Sequence, residues 1–336
     1  MIRGRKIALL HNERPAVVPG CLPDDTFEEY DSLETIGQIA EALRGLGVEV
    51  EPVLADARLP WRLEEGRYDF AFNIAEGPVG LTDRDRRCRE AIPAAVCELL
   101  GLPFTGSDAL TLAVTLDKAM ARRVVSGEVP VARAVLLECG AEDLGGLRYP
   151  VIVKPNDEGS SKGIRDGCLA QDAAGAVARA RQLRSVYGCP ALVEEFLPGA
   201  EVTVALAGNW PDVRLLGLME IAPARPTEAF VYSVDVKRDF ERRVVYHVPP
   251  RLDAATLDRL RAGALAAWRL LGCRDIARMD FRLDTSGRPC FLECNPLPGL
   301  NRDHSDIVIL TRDVLPYDRL VQGILLDAAK RTGVPV

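Results

Sequence analysis

The stretch RMDFRLDTSGRPCFLECN, residues 278–295, decides the fold of this chain because it predicts a β-hairpin that carries a metal site. The two arms, on either side of a turn at residues 285–287, have the composition of strands. Residues two apart on a strand share a face, so Glu293 and Asn295 point the same way and Asp280 on the facing arm completes the set. Two carboxylates and one amide oxygen suit Mg²⁺ that also takes oxygens from a nucleotide. An ordinary hairpin with solvated acids is the alternative.

Length and composition restrict the class of protein. The chain has 336 residues, more than one ordinary core needs, so two or three domains are expected. Its 48% hydrophobic and 27% charged residues are typical of a soluble protein, and a net charge of -7 argues against a general nucleic-acid binder. No apolar stretch approaches the roughly 20 residues that span a membrane. The N-terminus reads as a buried strand rather than a signal peptide, so the cytoplasm is the expected location.

The nine cysteines are scattered, and their number is odd. No pair has C-x2-C spacing, and the three histidines are far from them in sequence. We therefore expect reduced and mostly buried thiols rather than a zinc site or a disulfide framework.

Strands and helices alternate over the first hundred residues, which predicts a parallel sheet with helices on its faces. The strands are predicted at 6–10, 48–54 and 68–74, and the helices at 32–46 and 89–100. The turn-rich segment LPFTGSD follows at 102–108, so we place the first domain at residues 1–103. The rest of the chain is divided into a central part, 104–190, and a C-terminal part, 191–336.

A polar, glycine-containing turn follows the predicted strand that ends at Pro155. Within YPVIVKPNDEGSSKGI, residues 149–164, this turn can present backbone N–H groups to phosphate oxygens, and Lys154 can add a point charge. It is neither a Walker A loop nor a dinucleotide fingerprint. Taken alone, such a loop is more often an ordinary turn.

Four further helices and four further strands complete the pattern. Helices are predicted at 110–125, which carries Asp117-Lys118, at 172–183, at 254–271 and at 320–329. Strands are predicted at 131–137, at 191–197, from residue 201 and around 213–221. The polar stretch 230–245 has no clear period.

In this order, the motifs resemble the ATP-grasp superfamily and, within it, the D-alanine–D-alanine ligase family. The resemblance spans nearly the whole chain. It is carried by LPFTGSD (102–108), LDK (116–118), YPVIVKPNDEGSSKG (149–163), LVEEFLPGAEVTV (192–204), VK (236–237), RMDF (278–281) and FLECNPLPGL (291–300). It implies an α/β chain, α+β in its ATP-grasp part. The architecture would have three domains, an N-terminal parallel-sheet domain followed by two antiparallel sheets that hold ATP between them.

The resemblance also implies a role for each matching residue on the nucleotide side. Lys118 and Lys154 would contact the base and phosphates, and the loop Glu158–Gly163 would close over the phosphates. Glu201 would bond the ribose hydroxyls and Lys237 would reach the γ-phosphate. The residues implied at the phosphate loop and the adenine edge are Glu158, Ser160, Ser161, Glu194, Glu195, Phe196 and Leu197.

On the catalytic side, the resemblance implies that Asp280, Glu293 and Asn295 hold two Mg²⁺ ions, with Mn²⁺ as the alternative. Arg278 and the backbone N–H near Gly299 would stabilise the charge on a tetrahedral intermediate. A carboxylate would attack ATP to form an acyl phosphate, which an amine would then displace. Loops 156–163 and 230–245 would act as lids that exclude water.

The substrate side departs from the family. Counting back from Ser32, Glu28 falls where the family's glutamate binds the first substrate's ammonium, with Glu29 and Asp31 as adjacent alternatives. Glu76 replaces a histidine that is usual after the third strand. The residue after the lid lysine, commonly aromatic in the family, is Arg238.

Two further features of that side bear on the substrates. Ser160 keeps the serine that links to the residue after the lid lysine, and His304 and Ser305 fall near the second substrate's carboxylate. The added charges suggest that the acceptor is another amino acid or an amine rather than D-alanine.

The leading hypothesis is therefore an ATP-dependent carboxylate–amine ligase that forms a dipeptide and releases ADP and phosphate, as in peptidoglycan precursor synthesis. A related ligase of specialised metabolism with another acceptor is the first alternative, and a non-catalytic nucleotide-binding protein is the second. The expected partners are small-molecule amino acids, without nucleic acid or membrane, and a homodimer through the first domain is implied by analogy.

Overall fold

Three β-sheets follow one another along the chain in the computed structural model, which describes residues 2–20, 22–77, 86–138, 143–165 and 167–335. The first sheet is parallel and has the order β2-β1-β3. Ser32 caps the first helix by accepting from the Thr35 N–H, as its sequence position predicts. The elements of this region are β1 (Lys6–His11), α1 (Leu33–Arg44), β2 (Glu49–Leu54), α2 (Leu59–Gly66), β3 (Phe70–Asn73) and α3 (Ala91–Leu100).

The predicted single helix at 110–125 is wrong, because the segment is two helices, α4 (Ala109–Leu116) and α5 (Lys118–Val125). Asp117 has an extended backbone between them, and its carboxylate accepts from the Met120 N–H at 2.9 Å. An aspartate competes with the helix by bonding to nearby backbone groups, which is why it breaks an otherwise helical pattern. Lys118 therefore stands in the first turn of a helix rather than on its flank.

The second sheet is antiparallel, with the order β4-β7-β5-β6. One helix, α6, packs against it and contributes to a core of its own. Since β7 pairs with β4 and β5, residues 191–195 belong to this sheet. The domain prediction places its second boundary just before them, between residues 190 and 191. The elements are β4 (Ala134–Leu137), β5 (Val151–Pro155), β6 (Leu169–Ala170), α6 (Ala173–Tyr187) and β7 (Ala191–Glu195).

The third sheet is also antiparallel and has the order β10-β9-β8-β11-β12. The stretch 230–245, predicted as a lid loop, contains two short helices and a strand. The elements are β8 (Glu201–Gly208), β9 (Arg214–Pro223), α7 (Val234–Arg238), α8 (Phe240–Arg243), β10 (Val244–His247), α9 (Ala254–Leu271), β11 (Asp275–Leu283) and β12 (Pro289–Asn295).

The chain closes with α10 (Asp306–Thr311) and α11 (Tyr317–Arg331), and α11 packs on α1 of the first region. One hydrophobic core joins apolar residues of the first sheet, α1, the third sheet and α11. The first and third sheets are therefore fixed to each other. Among the described residues, no helix combines the length and apolar character needed to cross a membrane.

Candidate active site

The hairpin of β11 and β12 forms as the sequence predicts. In the antiparallel register, Asp280 lies opposite Glu293 and Arg278 lies opposite Asn295. Directly opposed residues of an antiparallel pair point to the same face, and so do residues two apart on one strand. The three oxygen-bearing side chains, Asp280, Glu293 and Asn295, therefore share one face of the third sheet.

Buried cations surround the two hairpin carboxylates. The Arg278 guanidinium lies 3.0 Å from Asp280 and 3.2 Å from Asp306, and the Lys118 ammonium lies 3.5 Å from Glu293. Burial and the Glu293 charge raise the pKa of Asp280 against the opposing effect of Arg278. Burial alone would raise the pKa of Glu293, but Lys118, Lys154 and Arg278 outweigh it and lower that pKa.

This donor set fits Mg²⁺. Asp280 and Glu293 offer hard carboxylate oxygens side by side, and a divalent cation would relieve the repulsion that raises the Asp280 pKa. The amide oxygen of Asn295 accepts from the Leu297 N–H at 3.1 Å, which fixes its direction. A carbonyl-type oxygen has a second lone pair, so it can still bind a metal.

A cleft separates the second and third sheets, and we call it the nucleotide cleft. The residues predicted to bind nucleotide or metal that line it are Lys154, Ser160, Ser161, Glu194, Glu195, Phe196, Leu197, Glu201, Lys237, Arg278, Asp280 and Glu293. They come from both sheets and from the segments that connect them. The structure thus brings most of the predicted set together.

Glu194 is the buried acid at the second-sheet side of the cleft. The Lys154 ammonium lies 2.8 Å from its carboxylate, and the Arg122 guanidinium donates to its other oxygen. Burial favours the neutral acid, but these two cations outweigh burial and lower the pKa of Glu194. The next residue, Glu195, points to the other face, where it pairs with Arg148 at 2.8 Å.

Glu201 and Arg282 form the corresponding pair on the third sheet, 3.0 Å apart. Burial raises the pKa of Glu201 to about 7 in spite of that guanidinium. The Arg282 guanidinium also stacks on the Phe196 ring, 4.6 Å from its centroid, so it links the carboxylate to the strand end that follows Glu195.

A second cavity adjoins the cleft, and we call it the acidic pocket. It is lined by Glu29, Glu76, Glu90, Thr115, Leu116, Lys118, Glu158, Gly159, Ser160, Glu293, Cys294, Asn295 and Pro296. Carboxylate oxygens of Glu29, Glu76 and Glu90 all lie within 4.8 Å of one another. Ser160 and Glu293 line both cavities, so the acidic pocket and the nucleotide cleft meet at these two residues.

The three acids of the pocket differ in their partners. Glu29 lies 2.9 Å from the Arg89 guanidinium and 2.6 Å from the Lys162 ammonium. Burial would raise the pKa of Glu29, but these cations lower it strongly. Burial and neighbouring acids raise the pKa of Glu76 well above its usual value, whereas burial raises that of Glu90 to about 7 although Arg89 opposes it.

A comparison with known protein families identifies the family of this chain. The family model for the C-terminus of D-Ala-D-Ala ligases matches residues 135–325, which contain both antiparallel sheets and the metal hairpin. The chain belongs to the D-alanine–D-alanine ligase family. It is accordingly an ATP-dependent ligase that forms a peptide-type C–N bond.

Relatives and solved structures agree with this assignment. The D-alanine–D-alanine ligase of Anaeromyxobacter sp. is 33% identical over 332 residues, which is 97% of each chain. The structure of D-alanine–D-alanine ligase from Bacillus anthracis complexed with ATP matches with a TM-score of 0.73 at 19% identity over 98% of this chain and 99% of that one.

A D-Ala:D-Ser ligase, VanG from Enterococcus faecalis, matches equally well. Its TM-score is 0.72 at 19% identity, over 97% of this chain and all of that one. Both structural matches show a shared three-sheet fold, and they do not by themselves separate one substrate from another.

Some residues that the family resemblance predicts at the substrate site lie outside the acidic pocket. Glu28 is outside the acidic pocket and pairs with Arg14 at 2.7 Å and with Arg238. Glu29, which was the adjacent alternative, lines the pocket instead. Glu29 rather than Glu28 therefore lines the pocket, in a segment where residues 24–29 form turns.

The remaining predicted residues have these positions. Lys118 and Glu158 line the acidic pocket rather than the nucleotide cleft, and the Lys118 ammonium donates to the Glu158 carbonyl. The side chain of His304 is exposed to solvent in the turn that follows Gly299. The Ser305 hydroxyl accepts from the Asn301 N–H at 2.9 Å, beside Gly299, where a Cβ would lie 3.0 Å from that hydroxyl.

Four charged residues of the site were not predicted from the sequence: Arg89, Glu90, Arg122 and Arg282. Arg282 could have been predicted from the sequence, because in RMDFR it lies two residues after Asp280 on a strand and so on the same face. Arg122 and Arg89 had none, since an arginine on an amphipathic helix or just before one is usually solvated.

Proposed function

We propose that this ligase phosphorylates the carboxylate of an amino acid with ATP and joins the resulting acyl phosphate to an amine. The observation that carries the proposal is the junction of the two cavities at Ser160 and Glu293. A nucleotide in the cleft would direct its terminal phosphate toward this junction, and a substrate in the acidic pocket would meet it there. Reacting groups that are held together in this way lose far less entropy when they combine.

The nucleotide end of the cleft offers groups of the right kind. Adenine would lie along the end of β7, where backbone groups of Glu195, Phe196 and Leu197 can read the ring edge. Lys154 supplies a positive charge for the phosphates, and Glu201 is placed to accept from ribose hydroxyls. Lys237 lines the same cleft from α7 and would face the γ-phosphate.

Asp280, Glu293 and Asn295 would hold the Mg²⁺, or Mn²⁺ in its place. When bound, the ion neutralises phosphoryl oxygens and so favours attack by the substrate carboxylate. Arg278 is fixed between Asp280 and Asp306, which orients its guanidinium across the cleft. We assign to Arg278 the stabilisation of negative charge on the tetrahedral intermediate that forms when the amine attacks.

The acidic pocket would receive the ammonium of the amino-acid substrate. Five carboxylates line it, and in the described part of the chain they outnumber the three cations that contact them, which are Arg89, Lys118 and Lys162. A bound ammonium would restore the balance, and hydrogen bonds to charged groups are among the strongest in proteins. Glu76 stands where the family usually has a histidine, and this observation favours a second candidate function with an acceptor or donor other than D-alanine.

Phosphate release from ATP and Mg²⁺ tests the proposal, first with D-alanine and then with a panel of amino acids and amines, followed by mass spectrometry of the products. A dipeptide or amide with stoichiometric ADP is the expected result. D-alanyl-D-alanine as the main product would place the chain in cytoplasmic peptidoglycan precursor synthesis and would make Glu76 incidental. Turnover only on another pair of substrates would establish the second candidate, and ATP binding without any turnover would contradict both.

The proposal includes a homodimer through the first domain, as the family resemblance implies. Analytical ultracentrifugation across a concentration series tests it, and a single monomeric species at all concentrations would contradict it.

A further inference from the structure

Three parts of the chain meet at an ion-paired junction above the nucleotide cleft. Arg238, the last residue of α7, donates to Asp24 at 2.6 Å and to Glu28, both in the segment before α1. Its Nε also donates to Glu28 at 2.9 Å, so both edges of the guanidinium are engaged. The junction therefore connects the first region of the chain to α7, which lies between β9 and β10 of the third sheet.

A second arginine extends the junction to the phosphate loop. Arg165 follows that loop and lies 3.2 Å from Asp25 and 3.3 Å from Asp235 of α7. Backbone contacts add to it, because the Val234 N–H donates to the Ile164 carbonyl at 3.0 Å and the Ser161 hydroxyl donates to the Tyr232 carbonyl at 2.9 Å. The phosphate loop and α7 are thus held as one closed surface.

Lys237 depends on this surface for its position. It immediately precedes Arg238 on a helix of only five residues, Val234–Arg238, and its side chain lines the nucleotide cleft. Ser233 caps the helix through the Val236 N–H at 3.3 Å. A single turn of helix has little stability of its own, so its direction is determined by what its two ends contact.

We propose that Arg238, with Asp24 and Glu28, is a clamp that positions Lys237 over the phosphates of the nucleotide. Arg238 is a positioning residue, because it acts through its neighbour and does not itself line the nucleotide cleft. The inference rests on the proposed function, in which Lys237 faces the γ-phosphate. In the family this position is commonly aromatic, and a charged clamp there makes closure sensitive to ionic strength.

The physical basis is the strength and the salt dependence of such pairs. An exposed ion pair contributes little on its own, but a planar guanidinium shared by two carboxylates is oriented as well as attracted. Side-chain exposure of 36% for Arg238 and 63% for Asp24 leaves the pair open to screening. Closure should therefore weaken as the ionic strength rises through the range where the Debye length falls to about 3–10 Å.

The experiment compares Arg238→Gln and Arg238→Lys with a matched control, Arg242→Gln. Arg242 lies on α8 four residues further along and contacts Asp239 only at 3.9 Å, with 85% of its side chain exposed. The double variant Asp24→Asn with Arg238→Gln tests whether the two residues act as one unit. Each protein is assayed for kcat and for KM of ATP at low and high KCl.

We expect Arg238→Gln to lower kcat about tenfold to a hundredfold with less than about a threefold change in KM of ATP, because a small displacement of Lys237 affects transfer more than binding. Its kcat should also lose most of the salt dependence of the wild type, and the Asp24→Asn change should add only the smaller effect of losing the second pair of Asp24, with Arg165. Arg238→Lys, which keeps the charge without the planar fork, should fall between. Equal losses in Arg242→Gln, or an unchanged salt dependence in Arg238→Gln, would overturn the proposal.

Hydrogen exchange tests the clamp without a measurement of turnover. With MgADP added, residues 230–245 should become protected in the wild type and in Arg242→Gln but not in Arg238→Gln. Identical protection in all three would overturn the clamp even if the ligase is active. Loss of protection only in Arg238→Gln would support the clamp even if none of the tested substrates reacts, so the two proposals can fail separately.

Discussion

The nucleotide cleft and the acidic pocket adjoin, but their buried carboxylates differ in how far they are paired with cations. In the cleft, each buried acid has a cation beside it, as Glu194 has Lys154 and Asp280 has Arg278. In the acidic pocket, Glu29 and Glu158 share the cations Arg89 and Lys162, whereas Glu76 and Glu90 lie beside other carboxylates that raise their pKa values further. The protein's own cations therefore neutralise the nucleotide cleft, whereas a cationic ligand would neutralise the acidic pocket.

The largest expected effect follows from removing a predicted metal ligand in the nucleotide cleft. Asp280→Ala or Glu293→Ala removes a carboxylate that would hold Mg²⁺, and turnover should fall on the order of a thousandfold or more. Phosphate release measures it, and thermal unfolding shows that the fold is retained. Asp258→Ala, which removes an exposed carboxylate paired with Arg261, is the control. A double variant with wild-type activity would refute the metal assignment.

The next effect concerns the compensated acid Glu194. Glu194→Gln leaves Lys154 and Arg122 without their buried counter-charge, which should lower the free energy of unfolding by about 3–5 kcal/mol. The adjacent Glu195→Gln breaks a pair whose Arg148 side chain is 83% exposed and should cost less than about 1 kcal/mol. Urea denaturation of the two variants measures the contrast. Equal losses would mean that the cleft does not depend on matched charges.

The acidic pocket is tested by adjacent glutamates. Glu29→Gln should raise KM of the amino-acid substrate about tenfold to a hundredfold, because it removes a charged acceptor for the ammonium. KM of ATP should rise by a smaller factor, because Glu29 also accepts from the Gly159 N–H at 2.6 Å and pairs with Lys162 in the phosphate loop. Glu28→Gln should leave KM of the amino acid nearly unchanged and act on kcat, since Glu28 contacts Arg238 outside the pocket. The reverse pattern would restore Glu28 as the ammonium ligand.

The last expected effect is a pH dependence of the ligand-free protein. A carboxyl whose folded pKa is raised binds more protons folded than unfolded, so its contribution to stability is present at low pH and is lost as pH rises through the folded pKa. For Glu90, whose pKa moves from 4.5 to about 7, this loss falls between about pH 5 and pH 8 and reaches at most about 3 kcal/mol.

Denaturation of the wild type and of Glu90→Gln at both ends of that range measures it. The wild type should lose more stability than the variant, and the comparison cancels the contributions of histidines. A steeper loss in Glu90→Gln would contradict the excess of carboxylates in the pocket.

The two cavities also differ in how far the sequence predicts them. The cleft is built from strand ends and a hairpin, where side-chain direction follows from a period of two, so Asp280, Glu293 and Lys154 could be placed in advance. The helix Ala254–Leu271 was likewise predicted with its observed bounds. The three domain ranges stay a prediction.

The acidic pocket could not be predicted in the same way. Its acids come from a run of turns, from the end of β3 and from the start of α3, and turns have no fixed period. The choice between Glu28 and Glu29 depended on that geometry. The break at Asp117 was missed for a related reason, because a helical pattern continued across it on both sides.

The packing of α11 on α1 has a consequence for how the molecule unfolds. The last helix of the chain completes the same hydrophobic core as the first sheet and α1, so these distant segments form one cooperative unit. The second sheet keeps a separate core around α6. The first and last segments of the chain therefore stabilise each other, and removing α11 would expose the apolar side of α1 and of the first sheet while leaving the core around α6 in place.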